Sequence, residues 1–257
     1  ILHYAYLCAA AGGVDAFLIG SELRGLTTIR SNASTYPTVA ALKTLAADVS
    51  AILGPSCKVS YAADWSEYFG HQPGDGTNDV FFHLDSLWSD ANIDFVAIDN
   101  YMPLSDWRDG FSHADALLWS SIYDKNYLAS NIAGGEGFDW FYLNDTDRAN
   151  QVRTPISDGL GKPWVFRYKD LRSWWLNQHY NRPAGVESGS PTAWVPQSKP
   201  FRFTELGCPA VDRGTNQPNV FVDPKSSESL YPYFSRGNRD DAISRSYLEA
   251  TYGFWND

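Results

Sequence analysis

Apolar and polar positions along this chain switch between a helical and a strand period, and the alternation predicts repeated strand-then-helix units. Leu2, Ala5, Tyr6, Ala9 and Ala10 recur at helical spacing and Gly12-Gly13 supplies a stop, so the chain opens in a helix. Val14 to Glu22 then reads as a strand, and its near-continuous apolar stretch from Ala16 to Ile19 suits a parallel strand covered on both faces. After a polar loop with Asn32 and Ser34, a helix is expected from about Thr38 to Leu53, closed by Gly54-Pro55. Lys58 to Ala63 is the second strand and ends in Asp64-Trp65. A Gly- and Asp-rich loop, 70–78, leads to a helix expected from about Asp79 to Asp90, and Asp94 to Asp99 is the third strand, ending in Asn100-Tyr101-Met102-Pro103.

The rhythm then stretches. A helix over about 114–131 precedes a long segment reaching Pro200, in which Trp164 to Tyr168 reads as a short strand and Leu171 to Gln178 as a helix turn or two. The fourth strand, Phe201-Arg202-Phe203-Thr204-Glu205-Leu206, breaks at Gly207-Cys208-Pro209. A last helix, about Arg239 to Trp255, carries Ile243, Tyr247, Ala250, Tyr252 and Phe254 with charges between them. Strand and helix alternating in this way predict an α/β fold with a parallel sheet and right-handed crossovers. All strand C-termini of such a sheet lie on one side, and these four end in Glu22, Asp64 with Trp65, Asn100 with Tyr101, and Glu205. In (β/α)8 barrels that side holds the active site. Four units cannot close eight strands, so the expectation is an incomplete TIM-barrel-type fold. Residues 1–257 are expected to form a single domain with a long insert at about 104–200.

Composition narrows the function. A net charge of -10 and a pI near 4.9 argue against nucleic acid or an anionic membrane as partner, because phosphate binding needs clustered Lys and Arg. There is no run of eighteen apolar residues and no basic-then-apolar leader, so neither membrane insertion nor a signal peptide is expected. The chain also begins without Met inside a helical pattern, which predicts a piece of a longer polypeptide. Cys8, Cys57 and Cys208 fit no disulfide framework or zinc site and read as small apolar residues. Nor is a cofactor or metal expected. The five histidines lack zinc spacing, and Gly134-Gly135-Glu136-Gly137 lacks the strand-to-helix setting of a dinucleotide site. Asp75, Thr77 and Asp79 alternate like calcium ligands but read as a polar turn, the completing Glu being missing. Aromatic content is high at 15%, and Trp65, Trp107, Trp140 and Trp164 are placed either to stack on sugar rings or to pack in the loop layer. Arg167 and Lys169 read as contacts to an acidic sugar or as partners of the excess carboxylates.

Two glutamates at strand ends read either as salt-bridged rim residues or as the pair that glycosidic bond cleavage needs, in which one carboxyl protonates the leaving oxygen and the other attacks or activates water. Glu22 and Glu205 are three strands apart, with Asp64 and Tyr101 on the strands between. This arrangement resembles the clan A glycoside hydrolases, retaining (β/α)8 barrels whose acid/base Glu ends the fourth strand and whose nucleophile Glu ends the seventh. Ile19-Gly20-Ser21-Glu22 matches the fourth-strand motif and Phe203-Thr204-Glu205-Leu206-Gly207 the seventh. Tyr101 falls on the sixth strand, where that clan often has a tyrosine hydrogen-bonded to the nucleophile. By that mapping the chain covers about the third helix to the seventh strand and its helix, with the insert between strands six and seven. The resemblance implies Glu22 as general acid/base and Glu205 as nucleophile, with burial beside aromatics and the Glu205 charge expected to keep Glu22 protonated. Ser21, Asp64, Trp65, Asn100, Tyr101 and Trp107 are the candidate substrate contacts. One departure stands at Ser21, where the clan carries an Asn that binds the sugar 2-hydroxyl; a serine reaches less far.

A closer resemblance covers nearly the whole chain. The runs 13–27, 61–70, 99–107, 134–140, 162–170 and 203–209 are similar to the barrel-like domain of gene transfer agent and phage tail proteins. That resemblance implies a domain of a tail-hub or host-specificity protein. Such a domain would be made in the bacterial cytoplasm, carried on the tail of a virion-like particle, and surrounded by other tail or baseplate proteins. It would act at the cell envelope on an envelope or capsule polysaccharide. A non-catalytic structural or carbohydrate-binding module of the tail hub stays open beside the hydrolase.

Overall fold

A computed structural model of the chain describes residues 1–256. Its elements begin α1 (Leu2–Ala10), β1 (Ala16–Ser21), α2 (Arg24–Thr27), α3 (Pro37–Leu53), β2 (Lys58–Asp64), α4 (Asp85–Trp88) and β3 (Val96–Asn100). They continue with α5 (Lys125–Ser130), β4 (Trp140–Phe141), α6 (Asp145–Asn150), β5 (Thr154–Pro155), α7 (Leu171–Leu176), β6 (Phe201–Leu206) and α8 (Asp241–Asn256). The four long strands form one sheet in the order β1-β2-β3-β6. β1 pairs parallel with β2 (Phe17 opposite Val59), and β2 parallel with β3 (Asp64 opposite Asp99). The fold is mixed α/β, and among the described residues the sheet stays open, as expected of an incomplete barrel.

The chain divides into two compact units, the first of residues 1–99 and 172–204, the second of residues 100–171 and 205–257. In the first unit α3 is started by Pro37 and stopped by Gly54, whose φ of 78° lies in the region that glycine enters without strain. Val39, Leu42, Ala46 and Val49 form its buried stripe, at the helical spacing seen in the sequence. The largest wholly buried side chains of this unit are aromatic: Tyr61, Tyr68, Trp88, Trp174 and Trp194. In the second unit α8 lays Ile243, Tyr247 and Ala250 on a core of Leu104, Trp107, Tyr127, Leu128 and Ile132. A short antiparallel pair, β4 with β5, lies in the same unit.

Four expectations are corrected. β1 is not covered on both faces: Ile19 is its one buried residue, and among the described residues β2 is its one neighbour in the sheet. The helix expected over 79–90 shrinks to α4. Val80 and Phe81 spend their backbone groups on bridges to Arg182 and His71, while Asp79 accepts the Ala184 amide at 2.7 Å. The helix expected over 114–131 shrinks to α5, capped by the Asp124 carboxylate on the amides of Asn126 and Tyr127. Asp115, at the start of the expected helix, is turned inward to take Tyr127 Oη and Arg153. Trp164 to Tyr168 contains no strand; Pro163 opens a 3-10 turn through Phe166.

Candidate functional site

Each unit carries part of the predicted set. In the first, strand pairing runs one residue past β1: the Glu22 amide donates to Ala62 O at 2.9 Å. Glu22 has φ 52°, a left-handed backbone uncommon for a residue with a Cβ, and the β1–β2 register slips between Leu18 and Ser21. The turn after it is anchored from below. Leu23 N donates to Tyr61 Oη (2.7 Å), which donates to the Glu67 carboxylate, and Thr27 Oγ1 reaches the same carboxylate from α2. Glu67 is wholly buried, and that burial pushes its carboxyl above the usual range against the lowering effect of its donors Thr27, Tyr61 and the Asp64 amide.

Asp99, on β3, is wholly buried and ties two other strands: its Oδ2 accepts from Ser21 Oγ (2.8 Å) and its Oδ1 from Thr204 Oγ1 (2.6 Å). The Ser21 hydroxyl, expected to face a sugar, is therefore committed to Asp99. Asp64, at the end of β2, accepts from the backbone and hydroxyl of Ser66, and Trp65 beside it is half-buried, its amide on Asp99 O at 3.1 Å. The expected burial of Glu22 beside aromatics is not found, for its side chain is exposed.

In the second unit Tyr101 Oη donates to Glu205 Oε2 at 2.6 Å. Glu205 is exposed, so the tyrosine is the built partner of a carboxylate open to solvent. Asn100 is buried and caps its own turn, its Oδ1 accepting the Met102 amide at 3.1 Å. Trp107 is only 8% exposed, its ring edge-on to His113 and Tyr127, so packing rather than an open stacking face occupies it. Trp164 is equally buried, and Trp140 lies under Arg153 at 4.2 Å. Arg167 sits over Phe138 and reaches Asp170 at 3.8 Å. Lys169 is buried, and its Nζ donates to the carbonyls of Asn131 (2.9 Å) and Gly134 (3.2 Å); burial pushes its ammonium down to about 7 against the opposing charges of Glu136 and Asp139.

The calcium-like loop is an arginine clamp, with Arg30 holding Asp75 at 2.9 Å and Asp79 at 3.0 Å. The three cysteines are free thiols, and burial pushes that of Cys208 up to about 12. No described helix is long and apolar enough to cross a membrane.

Sequence reasoning gave no role to Asp99, Glu67 or His83. His83 is buried against Tyr36 and His71, and neither of its ring nitrogens has a hydrogen-bond partner among the described residues. Burial, then the charges of His71 and Arg24, lower its pKa from 6.5 to about 3. The folded pKa lies below the unfolded one, so the unfolded chain takes the proton first, and stability is lost as pH falls from 6.5 toward 3. From those two values, stability is expected to drop by about 2 kcal/mol between pH 7 and pH 5. Urea unfolding at both pH values checks it; an equal drop in His83→Phe would assign the loss to other groups.

No curated protein shows significant similarity to the chain. A family model described as the GTA TIM-barrel-like domain, where GTA stands for gene transfer agent, matches residues 1–257. With its open parallel sheet and polar strand ends, the chain belongs to the gene transfer agent TIM-barrel-like domain family.

Proposed function

We propose that this component of a phage-like particle is a glycoside hydrolase of the retaining type, acting from the particle's tail on a cell-envelope or capsule polysaccharide. The observation that carries the reading is the 2.6 Å hydrogen bond from Tyr101 Oη to Glu205 Oε2. A carboxylate held by one phenol leaves its second oxygen free to attack, and the bond fixes the rotamer of an otherwise solvated side chain. In the first step Glu22 donates its proton to the glycosidic oxygen while a Glu205 oxygen bonds to the anomeric carbon and the sugar–oxygen bond breaks. In the second, Glu22 takes a proton from water, whose oxygen displaces Glu205. The surrounding tail or baseplate proteins complete the particle, and nucleic acid has no part in the reaction.

A specific observation favours the second reading, a carbohydrate-recognition module of the tail hub. Ser21 Oγ is spent on Asp99, and Glu22 is exposed, so neither offers the sugar-binding hydroxyl or the desolvated acid that turnover needs. Proton NMR of polysaccharide digested by the complete protein separates the two. Release of the retained anomer, abolished in Glu22→Gln and Glu205→Gln, supports the hydrolase; equal traces of product from all three proteins would leave the binding module.

Tyr101→Phe provides a finer measure. The bond holds the nucleophile in place, so its loss is expected to lower kcat about 10- to 100-fold through misplacement of Glu205. The thermal midpoint is expected to stay near that of the parent protein, since the pair is exposed. An unchanged kcat would remove the tyrosine from the mechanism.

A further inference from the structure

The second unit contains a cavity of about 270 Å³ that the Glu205 site does not use. Trp107 and Asp109, from the loop after β3, line it together with Asp212, Arg213, Arg236 and Asn238, from the loop after β6. Both loops leave the C-terminal ends of β3, which Tyr101 follows, and of β6, which bears Glu205. We propose that this cavity is a subsite for a neutral, hydroxyl-rich sugar unit of the polysaccharide; the assignment rests on the carbohydrate reading above, in either its catalytic or its binding form.

Charge selects the ligand class. The lining holds two guanidinium groups and two carboxylates, already paired: Asp109 with Arg213 and with Arg236 (2.9 Å), Asp212 with Arg213 (2.9 Å). An anion would meet Asp109 and Asp212, and a cation would meet Arg213 and Arg236, so neither gains a net counter-charge. A sugar hydroxyl both donates and accepts, and the lining offers both kinds of partner on fixed groups. Asp109 and Arg236 are more than half exposed and keep acceptor and donor capacity beyond their ion pair, and Asn238 adds an exposed amide. Arg213 Nε is buried without a hydrogen-bond partner among the described residues. Tyr123, at the edge, is fixed by its hydroxyl on Asp240 at 2.6 Å. Trp107 and Ile122 supply the apolar share of the wall.

The walls are held in costly backbone. Arg213 (φ 59°) and Phe234 (φ 65°) are both left-handed with a Cβ, and Arg213 Nη1 donates to Phe234 O at 2.8 Å. Residues in this conformation are strained and persist where the surroundings over-determine them, at ligand clamps among other places. The over-determination is visible: Asp212 accepts the amides of Arg236 (3.0 Å) and Asn238 (2.8 Å) and the hydroxyl of Ser235 (3.1 Å), which pins the second loop. A cavity of this volume sits just below the roughly 300–1,000 Å³ of drug-sized pockets and suits one small ring.

The test is an NMR titration of the whole protein, following arginine Nε–Hε signals against four neutral disaccharides (cellobiose, maltose, lactose and diacetylchitobiose), with glucuronic acid and glucosamine as charged controls. At least one neutral disaccharide is expected to move the Arg213 and Arg236 signals saturably, and more tightly than either control. The double variant Arg236→Gln with Asn238→Ala is expected to weaken it fivefold or more at an unchanged unfolding midpoint, both side chains being exposed. Glu205→Gln is expected to bind as the parent does. The subsite is overturned if no neutral disaccharide moves those signals, if a charged sugar binds more tightly, or if the double variant binds undiminished. Binding without hydrolysis would sink the catalytic reading and leave the subsite; hydrolysis without these shifts would do the reverse.

Discussion

Glu205→Gln is expected to lower polysaccharide hydrolysis by roughly 10³-fold or more, the scale on which an enzyme that loses its covalent nucleophile fails. The amide keeps the size of the carboxylate and can still accept from Tyr101 Oη, so the fold and the 2.6 Å contact have no reason to change. What is lost is the anion that bonds to the anomeric carbon. The two glutamates are told apart by azide. Added to Glu205→Gly, it occupies the emptied position and attacks the sugar directly, giving a glycosyl azide of inverted configuration. Added to Glu22→Gly, it replaces water in the second step and gives the retained product. Identical products from both variants, or parent-level hydrolysis by Glu205→Gln, would refute the assignment of roles.

Asp85→Ala is expected to destabilise the first unit by about 3–5 kcal/mol, the cost of stripping one partner from a buried hydrogen-bonded pair. Asp85 is 2% exposed, and its Oδ2 takes both His179 Nδ1 (2.9 Å) and Thr192 Oγ1. His179 is wholly buried, stacked on Phe82 at 4.3 Å and parallel to Trp194 at 5.5 Å, with Nε2 against Trp174 O at 2.8 Å. The ring has nowhere to turn, and the alanine leaves its Nδ1 and the threonine hydroxyl without an acceptor. Asp85→Asn keeps an oxygen in place and is expected to recover at least half of the loss. Urea denaturation of the three proteins checks this; an alanine variant within about 0.5 kcal/mol of the parent would show that the pair contributes little.

What the residues spelled out locally, the fold kept. The stripe Val39, Leu42, Ala46 and Val49 closed by Gly54 became α3, and Ile243, Tyr247 and Ala250 became the buried face of α8, because helical period and stop signal act within one turn of the chain. The four strands were legible for the same reason. The helices over 79–90 and 114–131 were not, since Asp79 bonds the amide of Ala184 and Asp115 bonds Arg153, partners far away in sequence. Such contacts outweigh a helical propensity of a few tenths of a kcal/mol per residue.

The candidate site divides along the same line. The positions of Glu22 and Glu205 at strand ends, and of Tyr101 one strand from Glu205, were readable from alternation and spacing, which set where a side chain lies along a parallel sheet. Tertiary structure alone decided their surroundings: that Ser21 is bound to Asp99, that Glu22 and Glu205 are exposed, and that Trp107 packs on His113 and Tyr127. Burial and hydrogen-bond partnership belong to pairs of residues brought together from distant parts of the chain, and a pattern of single positions does not contain them.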